Sequence, residues 1–411
     1  MKERRDTNYE RPDFDKLAEL YPPLRKFVVG RHVDFSNHDA LRTLTQALFK
    51  VNFDLSVELP SSRLCPRIPN RLSYLSWIDD LLPSPNEGEI WGLDVGTGAS
   101  CVYPLLGCRI HSNWNFIATD IDSESICVAG RNVDINGLRE RIFLSQAGDS
   151  TICLPPRPHV LAFLICNPPF YESLASLQDS SSFKRSPAHS TTLAREAELV
   201  TPGGETQFVC RIVDDSLSLI GHAQTVSTWY SSMLGKRSSL EVIIKHIHNR
   251  AAQHGLPTDN YAVTQLVQGG FTVRWAIAWR WDLERIYVKQ DGFPIWLQKL
   301  APPSNRIEIS LSGYADDLLS LVSQKLRDKS TEITCLSTPT ELIVFSSKGN
   351  VWSRAYRRKR KRDQNIQRSE FKAKVNFKPP ICTILWLCGF EHRDFVSFVT
   401  MIQSFLRDLS N

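Results

Sequence analysis

The sequence predicts an α/β domain built on a parallel sheet, preceded by a short extension and followed by a basic α+β module. Three observations carry that reading. From Arg71 to about Trp281, apolar strand-sized runs alternate with longer amphipathic stretches, the pattern of β-α-β units. The first of these runs ends in a glycine-rich turn and the second in an acid. Beyond the linker Pro302-Pro303-Ser304-Asn305 the charge changes: residues 301–411 hold 18 Lys and Arg against 11 Asp and Glu, whereas the preceding 300 residues are nearly balanced. The expected domains are 1–70, 71–290 and 301–411.

Taken in order, residues 1–70 read as short helical pieces broken by Pro22-Pro23, Pro60, Pro66 and Pro69. The central region offers strands at Ile90–Val95, Asn115–Thr119, Ile142–Ser145, Val160–Cys166, Thr206–Ile212, Thr225–Tyr230, Ala262–Val267 and Thr272–Trp279. In the last region Arg306–Leu311 alternates as a strand, and Ala315, Leu318, Leu319, Val322 and Leu326 share a helical face. Strands are expected at Glu332–Cys335, Glu341–Ser346, Val351–Tyr356 and Ile381–Cys388, with the basic segment before the last of them. A final helix aligns Phe395, Phe398, Val399, Ile402, Phe405 and Leu406.

Composition narrows the classes. With 411 residues, 42% hydrophobic and 23% charged, the chain has ample material for a core without disulfides or metals. No apolar run approaches the ~18 residues of a membrane span, and the opening MKERRDTNYER lacks the apolar core of a secretory signal. The ten cysteines contain no C-x-x-C pair, so neither a zinc module nor a disulfide framework is expected, and no metal site. The basic surplus, centred on Arg357, Arg358, Lys359, Arg360, Lys361 and Arg362, predicts a polyanionic partner.

Trp91-Gly92-Leu93-Asp94-Val95-Gly96-Thr97-Gly98-Ala99-Ser100 is a strand entering a turn where glycines let the backbone approach a ligand. It lacks the lysine of a nucleoside triphosphate loop, and Cys101 stands where the dinucleotide fingerprint G-x-G-x-x-G has its third glycine. The second strand closes on Asp120, whose carboxylate can accept both hydroxyls of a ribose. Loop and acid together describe an S-adenosylmethionine site.

The chemistry is set by Asn167-Pro168-Pro169-Phe170, which follows the apolar strand. An exocyclic amine conjugated with a purine ring is a poor nucleophile. The Asn167 side-chain carbonyl and the Pro168 backbone carbonyl can accept its two N–H bonds and turn the nitrogen towards a sulfonium methyl. The prolines stiffen the loop, and Phe170 offers a stacking face, worth roughly 1–3 kcal/mol per base. The stretch resembles the [DNS]-P-P-[YFW] motif of methyltransferases acting on amides and exocyclic amines. Phe at the fourth position favours a nucleic-acid adenine over a protein glutamine.

With Arg11–Phe14, Pro69–Tyr74, Leu93–Pro104, Gly203–Ser216, Trp229–Leu240 and Arg274–Trp279, the chain resembles the methyltransferase-like 16 family of RNA adenine-N6 methyltransferases. The resemblance implies a Rossmann-like class I methyltransferase fold, S-adenosylmethionine as donor (S-adenosylhomocysteine as product), and U6 small nuclear RNA as substrate, hence a part in splicing. By motif it implies cofactor contacts from Arg71, Gly96, Gly98, Ser100, Asp120, Thr151 and Asn167, with Arg71 pairing the methionine carboxylate. It further implies an RNA-gripping N-terminal module and a C-terminal module like kinase-associated-1 domains. Tyr171, the shortened Tyr171–Gly203 stretch and the lengthened Gln268–Arg274 stretch depart from the family pattern.

RNA needs cations near the site. Lys184, Arg185, Lys236, Arg237 and Arg274 are the candidates there, and Arg357–Arg362 is read as an RNA contact, a nuclear address or both. The nucleus is the expected location, with the cytoplasm second. Three alternatives stand beside the U6 reading: a ribosomal RNA adenine methyltransferase, a protein glutamine methyltransferase, and a non-catalytic RNA-binding assembly factor.

Overall fold

The computed structural model describes all residues except 1–11, 31, 83–87, 149–151, 153, 155–159, 170, 173–198, 223–224, 226, 269–271, 283, 286–292, 312–317, 339, 348–350, 353–369, 379, 390–391 and 411. The chain forms two compact units, one of residues 1–247 with 262–280, the other of residues 248–261 with 281–411.

The first unit opens with helix α1 (Phe14–Leu20), started by the Asp13 carboxylate, which accepts the Asp15 and Lys16 N–H groups. A two-residue hairpin, β1 (Val28–Val29) and β2 (His32–Val33), leads to α2 (His38–Phe53), capped in the same way by Asn37. Helix α3 (Ile68–Leu81) follows and continues across residue 70. Then come β3 (Ile90–Val95), α4 (Val102–Ile110), β4 (Trp114–Asp120), α5 (Ser123–Ile135), β5 (Ile142–Gln146) and β6 (Leu161–Cys166). Helix α6 (Gly204–Ser218), β7 (Trp229–Leu234), α7 (Arg237–Gln253), β8 (Tyr261–Gln268) and β9 (Thr272–Trp279) complete the pattern.

Seven strands form one sheet in the order β5-β4-β3-β6-β7-β9-β8. Strands β3 to β7 run parallel, as expected, whereas β9 pairs antiparallel with β7. The connection from β8 to β9 is too short for a parallel crossover. The core is close-packed: a side chain at Gly92 would put its Cβ 2.3 Å from the Phe163 ring. Chain order reverses beside β3, which lies between β4 and β6, and the crevice beyond the carboxyl ends there is where such sheets bind ligands.

Two expectations for this sheet need correction. Thr206–Ile212 is part of helix α6, not a strand, because Val209, Ile212, Val213, Ser216 and Leu217 are buried at helical spacing. The strand expected at Thr225–Tyr230 lies later, at β7, where all six residues are buried and the Ser231 hydroxyl is bonded to the Leu164 carbonyl.

The second unit contains the short helix α8 (Ile295–Gln298), β10 (Arg306–Ser310), α9 (Leu318–Lys329), β11 (Ile333–Ser337), β12 (Glu341–Ser346), β13 (Phe371–Lys378), β14 (Ile381–Cys388) and α10 (His392–Ser410). Its antiparallel sheet, β10-β14-β13-β12-β11, packs one face against α9 and α10 through Val322, Leu326, Phe395, Phe398 and Ile402. The strand expected at Val351–Tyr356 does not form at its start, where Val351 and Trp352 are a buried turn, and the remainder lies outside the described residues. Strand β13 was hidden in the basic segment: its lysines alternate with buried Phe371, Ala373, Val375 and Phe377.

Candidate active site

A cavity of about 420 Å³ opens at the carboxyl ends of β3, β4 and β6. Its lining joins the loop after β3, the acid ending β4 and the loop after β6, and takes further side chains from α3, α4, α6 and β9.

Gly96 and Gly98 adopt φ of 75° and 63°, and a Cβ at either would meet nothing within 4 Å, so both face open space beside the cavity. The Gly96 and Thr97 N–H groups bond the Thr119 carbonyl at 2.9 Å each, tying this turn to β4. Asp120 completes the tie: Oδ2 accepts the Gly98 N–H at 2.8 Å, and Oδ1 accepts the Asp122 N–H at 3.0 Å. Burial pushes the Asp120 carboxyl upward, and those two bonds partly offset the shift. Each oxygen keeps a lone pair for a ligand hydroxyl.

From behind, Asn132 of α5 donates to both the Ala99 and Glu58 carbonyls at 3.0 Å, so one amide joins the glycine loop to the N-terminal segment. That segment then presents Arg63, a buried guanidinium paired with Asp122, and enters α3. Arg71 of α3 lies over the Tyr103 ring, 5.3 Å from its centroid, and its Nη1 donates to Asn167 Oδ1 at 3.3 Å. The tetrad arginine contact thus orients the Asn167 carboxamide, oxygen towards the guanidinium.

The tetrad loop is fastened at its far end. The Tyr171 N–H donates to the Leu199 carbonyl at 3.0 Å, and the Thr201 N–H donates to the Tyr171 carbonyl at 2.9 Å. Thr201 Oγ1 in turn accepts from Arg211 of α6 at 3.1 Å.

Arg71, Gly96, Gly98, Ser100, Asp120, Asn167, Pro168 and Pro169 all line this cavity. So does Arg274, named from the sequence as an RNA contact; burial, then the neighbouring Arg67 and Arg71 charges, hold its guanidinium below the usual range. Lys236 and Arg237 do not line it: both are exposed where α7 begins. Phe170, Thr151, Lys184, Arg185 and Arg357–Arg362 lie outside the described residues.

Sequence reading missed Asp94 and Asn70. Asp94 is 1% exposed at the end of β3, and neither oxygen has a well-formed hydrogen bond among the described residues. Burial pushes its carboxyl up to about 7, with the nearby Thr97 hydroxyl and the Arg71 charge pulling it back. An acid in an otherwise apolar strand was the available signal. Among the described residues Asn70 Oδ1 and Arg71 Nε are also buried without a hydrogen-bond partner. Open space at two glycines, an acid for a ribose, and unpaired donors and acceptors for an amino acid suit S-adenosylmethionine. Among the described residues no group of three or more His, Cys, Asp or Glu could hold a metal ion, and no helix is long and apolar enough to cross a membrane.

Comparison with known proteins agrees with this geometry. The Methyltransf_10 model, described as RNA methyltransferase, matches residues 2–282. The chain belongs to this RNA methyltransferase family. The U6 small nuclear RNA (adenine-(43)-N(6))-methyltransferase of Schizosaccharomyces pombe is 31% identical over 95% of this chain and 99% of its own length. The Caenorhabditis elegans protein of the same description is 34% identical over 92% of this chain and 78% of its own. Among solved structures, the human METTL16 catalytic domain in complex with MAT2A 3′UTR hairpin 6 aligns with TM-score 0.59 and 34% identity, over 69% of this chain and 97% of that one. The N-terminal domain of human METTL16 in complex with SAH aligns with TM-score 0.54 and 32% identity, over 69% and 99%. The protein is therefore an S-adenosylmethionine-dependent RNA methyltransferase with the α/β fold of its relatives. The protein-glutamine and non-catalytic readings are set aside.

Proposed function

We propose that the protein methylates N6 of an adenine in U6 small nuclear RNA. The observation that carries this reading is one cavity lined by Asn167-Pro168-Pro169, the Gly96–Ser100 loop and Asp120 together. When bound, S-adenosylmethionine supplies an electrophilic methyl group on a sulfonium.

The residues of this chain do the rest. Gly96, Gly98 and Ser100 admit the donor closely, Asp120 takes its ribose hydroxyls, and Arg71 its carboxylate. The Asn167 and Pro168 carbonyls accept the two N–H bonds of the adenine amine and hold its nitrogen towards the methyl, with Phe170 stacking on the base. Arg71 keeps the Asn167 oxygen facing inward, and the second lone pair of that oxygen remains for the amine. No general base is needed, because the proton leaves readily once the nitrogen carries the charge.

The Schizosaccharomyces pombe and Caenorhabditis elegans relatives support U6 as the substrate, and U6 as the substrate supports the nucleus as the location. The N-terminal residues 1–70 and the basic residues 301–411, resembling a kinase-associated-1 module, act as RNA grips. Lys184, Arg185, Lys236, Arg237, Arg274 and the run Arg357–Arg362 provide phosphate contacts.

The test is to incubate the full chain with labelled donor and total cellular RNA, then identify the labelled species and base. Label in N6-methyladenosine of U6 is expected. Label confined to ribosomal RNA would replace U6 with the ribosomal substrate, and no label in RNA would overturn the reading.

A further inference from the structure

Asn70 has no part in the chemistry assigned so far. It stands in the first turn of α3, 4% exposed, on the cavity wall. Its Oδ1 is buried without a hydrogen-bond partner among the described residues. Such an amide destabilises the fold, since it gives up water and gains nothing in return. An apolar side chain of similar size would avoid that cost, so the carboxamide points to a ligand.

The unpaired groups nearby identify which part of a ligand it meets. Arg71, the next residue along α3, lines the same wall and offers a buried donor Nε that has no hydrogen-bond partner among the described residues. A carboxamide can both accept and donate. Acceptors and donors side by side complement an ammonium and a carboxylate carried on one carbon. The donor has such an end. An RNA phosphate carries no hydrogen-bond donor, and a purine carries no charged pair.

We propose that Asn70 is a specificity-determining residue for the amino-acid end of the methyl donor, hydrogen-bonding it beside Arg71. This rests on the cavity being the donor site. Loss of one hydrogen bond to a charged group lowers affinity by about 10-fold or more.

The test compares two probes by calorimetry on the full chain: S-adenosylhomocysteine, and 5′-methylthioadenosine, which lacks the amino-acid end. Wild type, Asn70→Leu and Asn70→Ala are measured, with the unfolding midpoint of each in the absence of ligand and its affinity for U6 RNA. Asn70→Leu is expected to weaken S-adenosylhomocysteine about 10-fold, leave methylthioadenosine unchanged, and unfold no earlier than wild type. The ratio of the two affinities in Asn70→Ala supplies the same test if the leucine variant does not fold.

Equal losses for both probes would mean that Asn70 only shapes the cavity, and would overturn the assignment. An earlier midpoint with unchanged S-adenosylhomocysteine affinity would make the amide structural and overturn it too. Weakened RNA binding with donor binding intact would move the amide to the acceptor and do the same. Wild type that binds neither probe would remove the donor site itself, whereas wild type that binds both, with unaltered ratios in the variants, would sink only the role of Asn70.

Discussion

The core of the second unit and the cavity of the first solve opposite problems with similar materials. Between the antiparallel sheet and helices α9 and α10 the large buried side chains are apolar, and the aromatic rings interlock: Phe398 stands 5.2 Å from Phe371 and 5.3 Å from Trp352, and Trp386 stacks on Phe395 at 5.7 Å. At the carboxyl ends of β3, β4 and β6, equally buried Asn70 Oδ1 and Arg71 Nε on the cavity wall, and Asp94 close by, have no well-formed hydrogen bond among the described residues. The first arrangement maximises burial, and the second leaves hydrogen-bonding capacity unspent inside the protein. Folding alone explains the aromatic core. It does not explain the cavity, and that residue of unexplained polarity marks where the ligand goes.

The sharpest way to break this comparison is to damage each side in turn. Phe398→Ala removes a fully buried ring and is expected to cost ~3–5 kcal/mol of stability. Denaturation by urea, with S-adenosylhomocysteine binding measured alongside in native buffer, should register a large loss of stability and unchanged affinity. Parallel losses would show that the cavity depends on that core.

On the other side, Asn167→Ala should leave stability near wild type and reduce methyl transfer far more than donor affinity, by ~2.7–4 kcal/mol, the loss typical of one oriented partner in a transition state. Single-turnover rates on an RNA substrate give the answer directly. Near-normal turnover would remove Asn167 from the reaction.

A smaller effect tests the buried acid that precedes the glycine loop. Because burial raises the Asp94 carboxyl from 3.8 to about 7, the ligand-free fold keeps a proton that the unfolded chain sheds. This group therefore favours the folded state below about pH 4, and that contribution is lost as pH rises from about 4 to 7. The cationic donor prefers the ionised form, so its affinity should climb as pH rises through about 7 and then level off. Calorimetry between pH 5.5 and 8.5 on wild type and Asp94→Asn would read this, and a slope retained by the variant would exonerate Asp94.

Much of this was legible in the residues because the strands next to the switch point are continuously apolar and end in unusual chemistry. β3, β4 and β6 were found nearly to the residue, and the Gly96–Gly98 turn, Asp120 and Asn167 with them. Apolar runs without that ending misled. Thr206–Ile212 has the composition of a strand, and only the spacing of Val209, Ile212, Val213 and Leu217 over a longer window betrays the helix. Lys372, Lys374 and Lys378 drew β13 into a charge run because the outward half of an alternating strand was read without its inward half. Asp94 and Asn70 escaped for another reason. Their significance is the absence of a partner, and absence becomes visible only when the neighbours are in position.

The bridge that fastens Tyr171 beside Val200 fixes where the chain after Pro169 meets the scaffold. Two hydrogen bonds hold that point, the Tyr171 N–H to the Leu199 carbonyl and the Thr201 N–H to the Tyr171 carbonyl. Asn167 lies four residues before this tie and its carboxamide is gripped by Arg71, so the short stretch between them is held at both ends, like a strap buckled on each side.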